Sequence, residues 1–147
     1  MQSKQVFYRV SPEMEQWLTS LRKIDGETLG SITQELLEWL AWLLPRTLRR
    51  VQFTPAEASL LCDALNGTIA IPGVRPPLEH EVADAICLDG LDQKWDVDGP
   101  TLVEKLRRLD DAQALAVALA VRQWWNLPAE DRSLDEGLQR VGLVRNR

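Results

Sequence analysis

The sequence is short of the residues on which many functional sites depend. Its 147 residues include one histidine and two cysteines, too few for a disulfide scaffold and without the paired spacing of a structural zinc site. It also has no glycine-rich phosphate-binding motif. We therefore predict no metal site, no cofactor and no enzymatic activity, and we expect Cys62 and Cys87 to be reduced on apolar helix faces.

Long apolar runs are also missing. The two longest, residues 39–44 and 114–121, fall well short of the roughly 20 residues that a helix needs to cross a bilayer. The first residues are not followed by the apolar segment that is typical of a secretory signal. We therefore expect a cytoplasmic protein that makes no membrane contact.

Acidic residues outnumber basic ones, and the excess lies in the later part of the chain. Residues 1–50 carry seven Lys/Arg and six Asp/Glu, whereas residues 51–147 carry ten and sixteen, so their net charges are +1 and −6. This difference predicts two domains with these boundaries. An acidic second domain suits a basic protein partner and argues against general coating of nucleic acid.

Hydrophobic spacing predicts a mainly α-helical fold with a single strand at the start. Residues 5–10 alternate between polar and apolar side chains, which is the period of a β-strand. A helix is predicted to follow from residue 12 to about residue 26, because Ser-Pro precedes a stripe of apolar residues with helical spacing. A second helix is predicted over residues 32–44, broken or kinked at Pro45.

Residues 51–147 predict an acidic domain of about five short helices. Capping-box patterns place helix starts after Thr54 and Ser133. The prolines and glycines of residues 67–77 indicate a loop. Residues 89–98 are predicted to form an acidic connector. The helix over residues 110–126 is apolar on nearly every side, which predicts that it is the central buried helix.

Six tryptophans are a high number for this length. Three lie on apolar helical stripes, and we expect these in the core: Trp17, Trp39 and Trp124. For the other three, two interpretations stay open, since an exposed indole can anchor a partner or add packing between the two parts: Trp42, Trp95 and Trp125.

The order and spacing of the strand and two helices in residues 4–44 resemble the ribbon-helix-helix family. The resemblance is carried by the segments KQVFYRVSPEMEQWL and GETLGSITQELL. It implies a homodimer whose paired strands enter the DNA major groove and whose second helix binds phosphate at its start. The resemblance implies that six residues contact DNA: Gln5, Phe7, Arg9, Thr28, Gly30 and Ser31. It also implies that five residues lie at the dimer interface: Val6, Tyr8, Trp17, Leu36 and Leu40.

Two functional hypotheses follow from these patterns. The first is a small dimeric DNA-binding transcriptional regulator, of which an antitoxin-type autorepressor is one version, with residues 51–147 binding a basic protein. Gln5 and Arg9 favour it, because amide and guanidinium groups can pair with base edges. The second is a non-enzymatic interaction inhibitor of phage type, whose acidic surface blocks a nucleic-acid-binding machine. Phe7 and the acidic charge favour the second.

Overall fold

The structure is a computed structural model that describes residues 9–22, 26, 28–66, 73–132 and 134–145. The chain divides into two compact units, residues 1–42 and 43–147. Within the described ranges no helix is both long enough and apolar enough to cross a lipid bilayer.

Helices make up most of the described chain. Their bounds are α1 Pro12–Ser20, α2 Leu29–Leu48, α3 Pro55–Ala64, α4 Leu78–Asp89, α5 Leu91–Trp95, α6 Gly99–Arg107, α7 Asp111–Trp125 and α8 Leu134–Arg140, with a 3₁₀ turn at Ala129–Arg132. The prediction of a mainly helical protein is therefore confirmed.

The predicted N-terminal strand-helix-helix architecture is wrong, because no β-strand occurs among the residues that the structure describes. Arg9 and Val10, the last two residues of the predicted strand, have irregular backbone, and residues 5–8 lie outside the described ranges. The physical reason is the need for partners: a strand must pair its backbone N–H and C=O groups. The sequence contains no second segment with strand periodicity that could pair with residues 5–10 within one chain.

Helix α1 begins where the sequence predicts. The Ser11 hydroxyl accepts a hydrogen bond from the Met14 backbone N–H at 3.1 Å, and Pro12 occupies the first turn. The helix ends at Ser20, before the predicted end near Gly26. Thr19 and Ser20 both turn their hydroxyls onto backbone carbonyls of the same helix, a side-chain bond that weakens helix propagation.

Helix α2 continues one turn beyond the predicted end at Leu44, with Pro45 inside it. A proline in a helix interior removes one backbone hydrogen bond and costs about 3 kcal/mol. The extra turn places Leu48 in the core of the second unit, where its side chain is 3% exposed. Burial of that leucine offsets most of the proline penalty.

The second unit has a continuous apolar core, and α3 lies at its centre. This helix packs against α4, α5, α7 and α8, while α4 also packs against α6. The largest fully buried side chains come from almost every helix of the unit and include Leu60, Leu61, Leu78, Leu102, Leu106, Val117, Val121 and Leu138. Helix α7, predicted to be the central buried helix, buries mainly alanine and valine side chains, whereas α3 has more helical neighbours.

Residues 89–98, predicted as an acidic connector, contain the short helix α5. Gly90 adopts the left-handed conformation (φ 64°) and ends α4, which allows the chain to turn sharply into α5. Leu91 then anchors the helix, with 6% of its surface exposed. A five-residue helix is too short to show a hydrophobic period, so the sequence pattern could not reveal it.

Candidate interaction surface

Helix α2 exposes a broad apolar face. Five of its large apolar side chains are between 44% and 58% exposed: Leu37, Trp39, Leu40, Trp42 and Leu43. Its polar side includes Gln34 and Glu38, whose side chains hydrogen-bond to each other at 3.2 Å. The helix is therefore amphipathic, but its apolar side faces solvent over residues 37–43.

The apolar residues of α2 follow a heptad-like spacing. Leu29, Ile32, Leu36, Trp39 and Leu43 succeed one another at intervals of three, four, three and four residues. This spacing is typical of helices that pair along a narrow seam. Ile32 is buried and Leu29 and Leu36 are half-buried, whereas Trp39 and Leu43 are 58% and 47% exposed, so the chain covers the seam only as far as Leu36.

Two tryptophans form an ordered pair on this face. The ring centroids of Trp39 and Trp42 lie 5.6 Å apart with an interplanar angle of 84°, which is the favourable edge-to-face arrangement. Each ring restrains the other, so less side-chain entropy is lost when the pair is covered by a partner. An exposed and preordered pair of indoles is a feature of interaction surfaces.

Helix α1 shows the same kind of exposure on a smaller scale. Met14, Trp17 and Leu21 follow one another at helical spacing and are 42%, 51% and 42% exposed. The buried apolar residues described in the first unit are Leu18 and Ile32. The unit therefore leaves far more large apolar side chains in solvent than it covers.

The prediction that Trp17 and Trp39 are core residues is wrong, because each exposes more than half of its surface. Trp124, predicted as core as well, is partly buried against the core of the second unit. An apolar stripe shows that a helix face will be covered. It does not show whether the cover comes from the same chain, and this is where sequence reasoning failed for α2.

The residues predicted to bind DNA are only partly described. Gln5 and Phe7 lie outside the described ranges, and Arg9 is exposed on irregular backbone. At the start of α2, the Thr28 hydroxyl accepts a hydrogen bond from the Ser31 backbone N–H at 3.1 Å. Thr28, Gly30 and Ser31 lie at this helix start, and their contact with DNA phosphate stays a prediction.

The predicted dimer interface is also described in part. Val6 and Tyr8 lie outside the described ranges. Trp17 and Leu40 are exposed and Leu36 is partly buried. The last three are apolar side chains on helices, so they are available to a partner without any strand pairing.

An acidic surface surrounds α4 in the second unit. A groove of about 350 Å³ is lined by Ala64, Asn66, Glu81, Asp84, Ala85, Leu88 and Asp89. Leu88 is 80% exposed within it, so an apolar side chain lies among carboxylates. Such a combination suits a partner that presents basic residues around an apolar one.

The described side chains do not assemble an activated nucleophile. Burial and, to a smaller extent, the negative charge of Asp63 together raise the pKa of the Cys62 thiol to about 12, so this sulfur stays protonated and unreactive at neutral pH. His80 exposes 80% of its side chain and lies 4.0 Å from Glu79. In the described ranges no three His, Cys, Asp or Glu side chains are grouped closely enough to hold a metal ion.

Comparisons of this chain with protein-family models, with curated proteins and with solved structures gave no match. Its function is therefore inferred from the physical character of its own surfaces. The α2 face is the most unusual of these, because monomeric proteins rarely expose so many large apolar side chains on one helix.

Proposed function

We propose that this chain is a non-enzymatic interaction protein that pairs with a second copy of itself through the apolar face of α2. The observation that carries the proposal is the uncovered part of the heptad-like seam, where Trp39 and Leu43 face solvent. A helix with a 3-4 seam packs well against an identical helix, because the same seam supplies knobs and holes on both sides.

The exposed area of α2 is sufficient for such a pair. A tryptophan or large aliphatic side chain that is half exposed offers on the order of 100 Å². Five of them offer about 500 Å² per chain, or about 1,000 Å² for two copies, which reaches the lower limit of specific interfaces. The exposed stripe of α1 would add to this area.

The small internal core of the first unit supports the same proposal. With Leu18 and Ile32 as its buried apolar residues in the described ranges, this unit covers too little surface to offset the entropy of ordering its backbone. Pairing supplies the missing burial. The fold of residues 1–42 and the assembly of the protein are thus coupled in this proposal.

The second unit supplies the contact with another protein. Residues 51–147 carry a net charge of −6, and the groove beside α4 combines acidic residues with the exposed Leu88. We assign this surface to a basic partner, which agrees with the inhibitor hypothesis. A DNA-binding regulator stays a prediction, but no described strand supports it.

The test is the mass of the protein in solution with two matched variants. Sedimentation or light scattering at micromolar concentration should give twice the chain mass of 16.7 kDa. Leu43→Gln should raise the dissociation constant of the dimer about thirtyfold, since losing the burial of a half-exposed leucine costs about 1 kcal/mol in each of two copies. Leu88→Gln is the control, because Leu88 is 80% exposed but lies on α4 and not on α2.

A monomer mass at every concentration would refute self-association. So would equal weakening by both leucine variants, because that result would mean that the seam does not define the contact. The partner surface has a separate test: if a captured basic protein is retained equally by wild type and by the double variant Asp84→Lys/Asp89→Lys, the acidic groove is not its binding site.

A further inference from the structure

A second feature of unit 43–147 shares no lining residue with the two surfaces described above. A cavity of about 480 Å³ is bounded by α3, α5, α7, the 3₁₀ turn and α8. Three tryptophans form its walls, and Leu138 contributes an apolar side chain. Its volume falls within the range of small-molecule sites, which are mostly apolar with a few fixed polar groups.

The indole rings around this cavity are held in place. Trp95 Nε1 donates to Asp63 Oδ2 at 3.0 Å, and Trp125 Nε1 donates to the Cys62 carbonyl at 2.8 Å. The rings of Trp124 and Trp125 meet edge to face, with centroids 5.0 Å apart. Walls fixed in this way lose little entropy when an aromatic ring enters between them.

One positive charge in the cavity has no carboxylate to balance it. The carboxylate of Asp63 is paired with Lys94 Nζ at 2.7 Å. Arg132 lies over the rings of Trp124 and Trp125, with its guanidinium carbon 5.9 and 5.3 Å from their centroids. It makes no ion pair with any residue in the described part of the chain.

The neighbouring Asp131 does not neutralise Arg132. Asp131 is paired with Arg140 at 3.2 Å, and the hydrogen bond from Arg132 to the Trp125 carbonyl is long, at 3.5 Å. The remaining polar group of the cavity wall is the uncharged hydroxyl of Ser59. The cavity therefore combines aromatic walls with one net positive charge.

From this geometry we infer that the cavity binds a small molecule in which an aromatic ring carries a carboxylate. The ring would stack against the indoles, and the carboxylate would pair with the Arg132 guanidinium. A planar guanidinium can bind a carboxylate through two parallel hydrogen bonds while it stays stacked on an aromatic face. This site is independent of the self-association proposed above, because it contains no residue of α1 or α2.

The test uses three probes with an indole ring and different charges: indole-3-propionate, 3-methylindole and tryptamine. Proton–nitrogen spectra of the indole N–H groups report which tryptophans are contacted. Indole-3-propionate should shift the signals of the three cavity indoles and leave three unshifted: Trp17, Trp39 and Trp42. Calorimetry should give a dissociation constant between about 10 μM and 1 mM, as expected for a ligand of this size.

The carboxylate should account for a measurable part of the affinity. A charge-assisted hydrogen bond is worth about tenfold or more in binding, so 3-methylindole should bind about tenfold more weakly and tryptamine more weakly still. Arg132→Gln should lower the affinity for indole-3-propionate about tenfold, so that it equals the affinity for 3-methylindole. Arg122→Gln is the charge-matched control, since Arg122 lies on α7 outside the cavity.

A second variant tests the cavity without changing charge. Ser59→Phe places a ring in the space that the ligand would fill, and it should abolish binding of all three probes while the spectrum stays that of a folded protein. Three results would overturn the inference: no shift of the cavity indoles with indole-3-propionate, equal affinity for the neutral and acidic probes, or unchanged affinity in Arg132→Gln.

Discussion

The ion pair between Glu57 and Lys105 offers the sharpest stability prediction. Glu57 is the one charged residue that is buried within the described chain, at 7% exposure. Its Oε1 accepts a hydrogen bond from the Thr54 backbone N–H at 2.9 Å, which completes the capping box of α3. Lys105 Nζ lies 2.8 Å from the same oxygen and donates to the Gln52 carbonyl at 3.0 Å.

Replacing Lys105 by methionine keeps most of the side-chain volume but removes the positive charge. The Glu57 carboxylate would then be left with one donor in a site where its side chain is 9% exposed. Breaking a buried ion pair from one side costs about 3–5 kcal/mol. Lys105 is 32% exposed, so water can replace part of its solvation, and we discount the expected loss to about 2–3 kcal/mol.

The reverse change should be milder. Glu57→Gln keeps an oxygen that can accept from Thr54, and the Lys105 ammonium keeps the Gln52 carbonyl and its contact with water. We expect a loss of about 1 kcal/mol, the usual worth of one hydrogen bond. The double variant Lys105→Met/Glu57→Gln has no buried charge left, so it should be less destabilised than the sum of the two single variants by about 1–2 kcal/mol.

Urea unfolding followed by tryptophan fluorescence measures these values. The midpoint should fall while the denaturant slope stays constant, because the surface exposed on unfolding does not change. The melting temperature of Lys105→Met should fall by about 10 °C. A loss under about 0.5 kcal/mol, or a double variant worse than the sum, would show that Glu57 is solvated and that the pair has no structural role.

Three further predictions concern individual side chains. Because burial raises the pKa of Cys62 to about 12, a thiol reagent near pH 8 should modify only the exposed Cys87 in the folded protein, and both cysteines after unfolding. Burial alone would raise the pKa of Asp63, but the hydrogen bonds from Lys94 and Trp95 and the charge of Lys94 outweigh it and lower that pKa. The stability that ionised Asp63 contributes should therefore be fully present above pH 3.8, its ordinary pKa, and be lost as the pH falls through the lowered pKa. Lys94→Met should raise the pKa of Asp63 in a carboxyl NMR titration, and an unchanged value would contradict this assignment. If the protein contacts DNA, Arg9→Ala should weaken a cognate complex about tenfold at fixed salt; equal, weak and sequence-independent retention of both proteins would exclude the regulator hypothesis.

The features that sequence reasoning predicted well are local in the chain. The capping box of Thr54 and Glu57 joins residues three positions apart, and both of its hydrogen bonds are present. The start of α7 likewise has reciprocal bonds between Asp110 and Gln113. Such motifs satisfy free backbone groups within one helical turn, so no knowledge of the rest of the fold is needed to recognise them.

The features that were missed depend on distant parts of the chain. Residues 5–10 have the alternation of a strand, but alternation alone does not provide a partner for the backbone. The cavity beside Arg132 joins residues from α3 to α8 that are separated by more than seventy positions, and no spacing in the sequence predicts that three indoles meet there. Trp95 in particular belongs to a stretch that the pattern predicted to be a connector.

The distribution of buried residues in the two units explains why the α2 face is better understood as an interface than as a packing defect. The second unit has a complete core of its own, so it does not require the exposed side chains of α2 for stability. In the first unit, the described helices bury Leu18 and Ile32 and leave Trp17, Trp39 and Leu40 in solvent. A helical pair with so little internal burial is marginal in water, and in the proposal made above a second molecule supplies the further burial. Since two copies carry the same seam, self-association provides that burial without any additional partner.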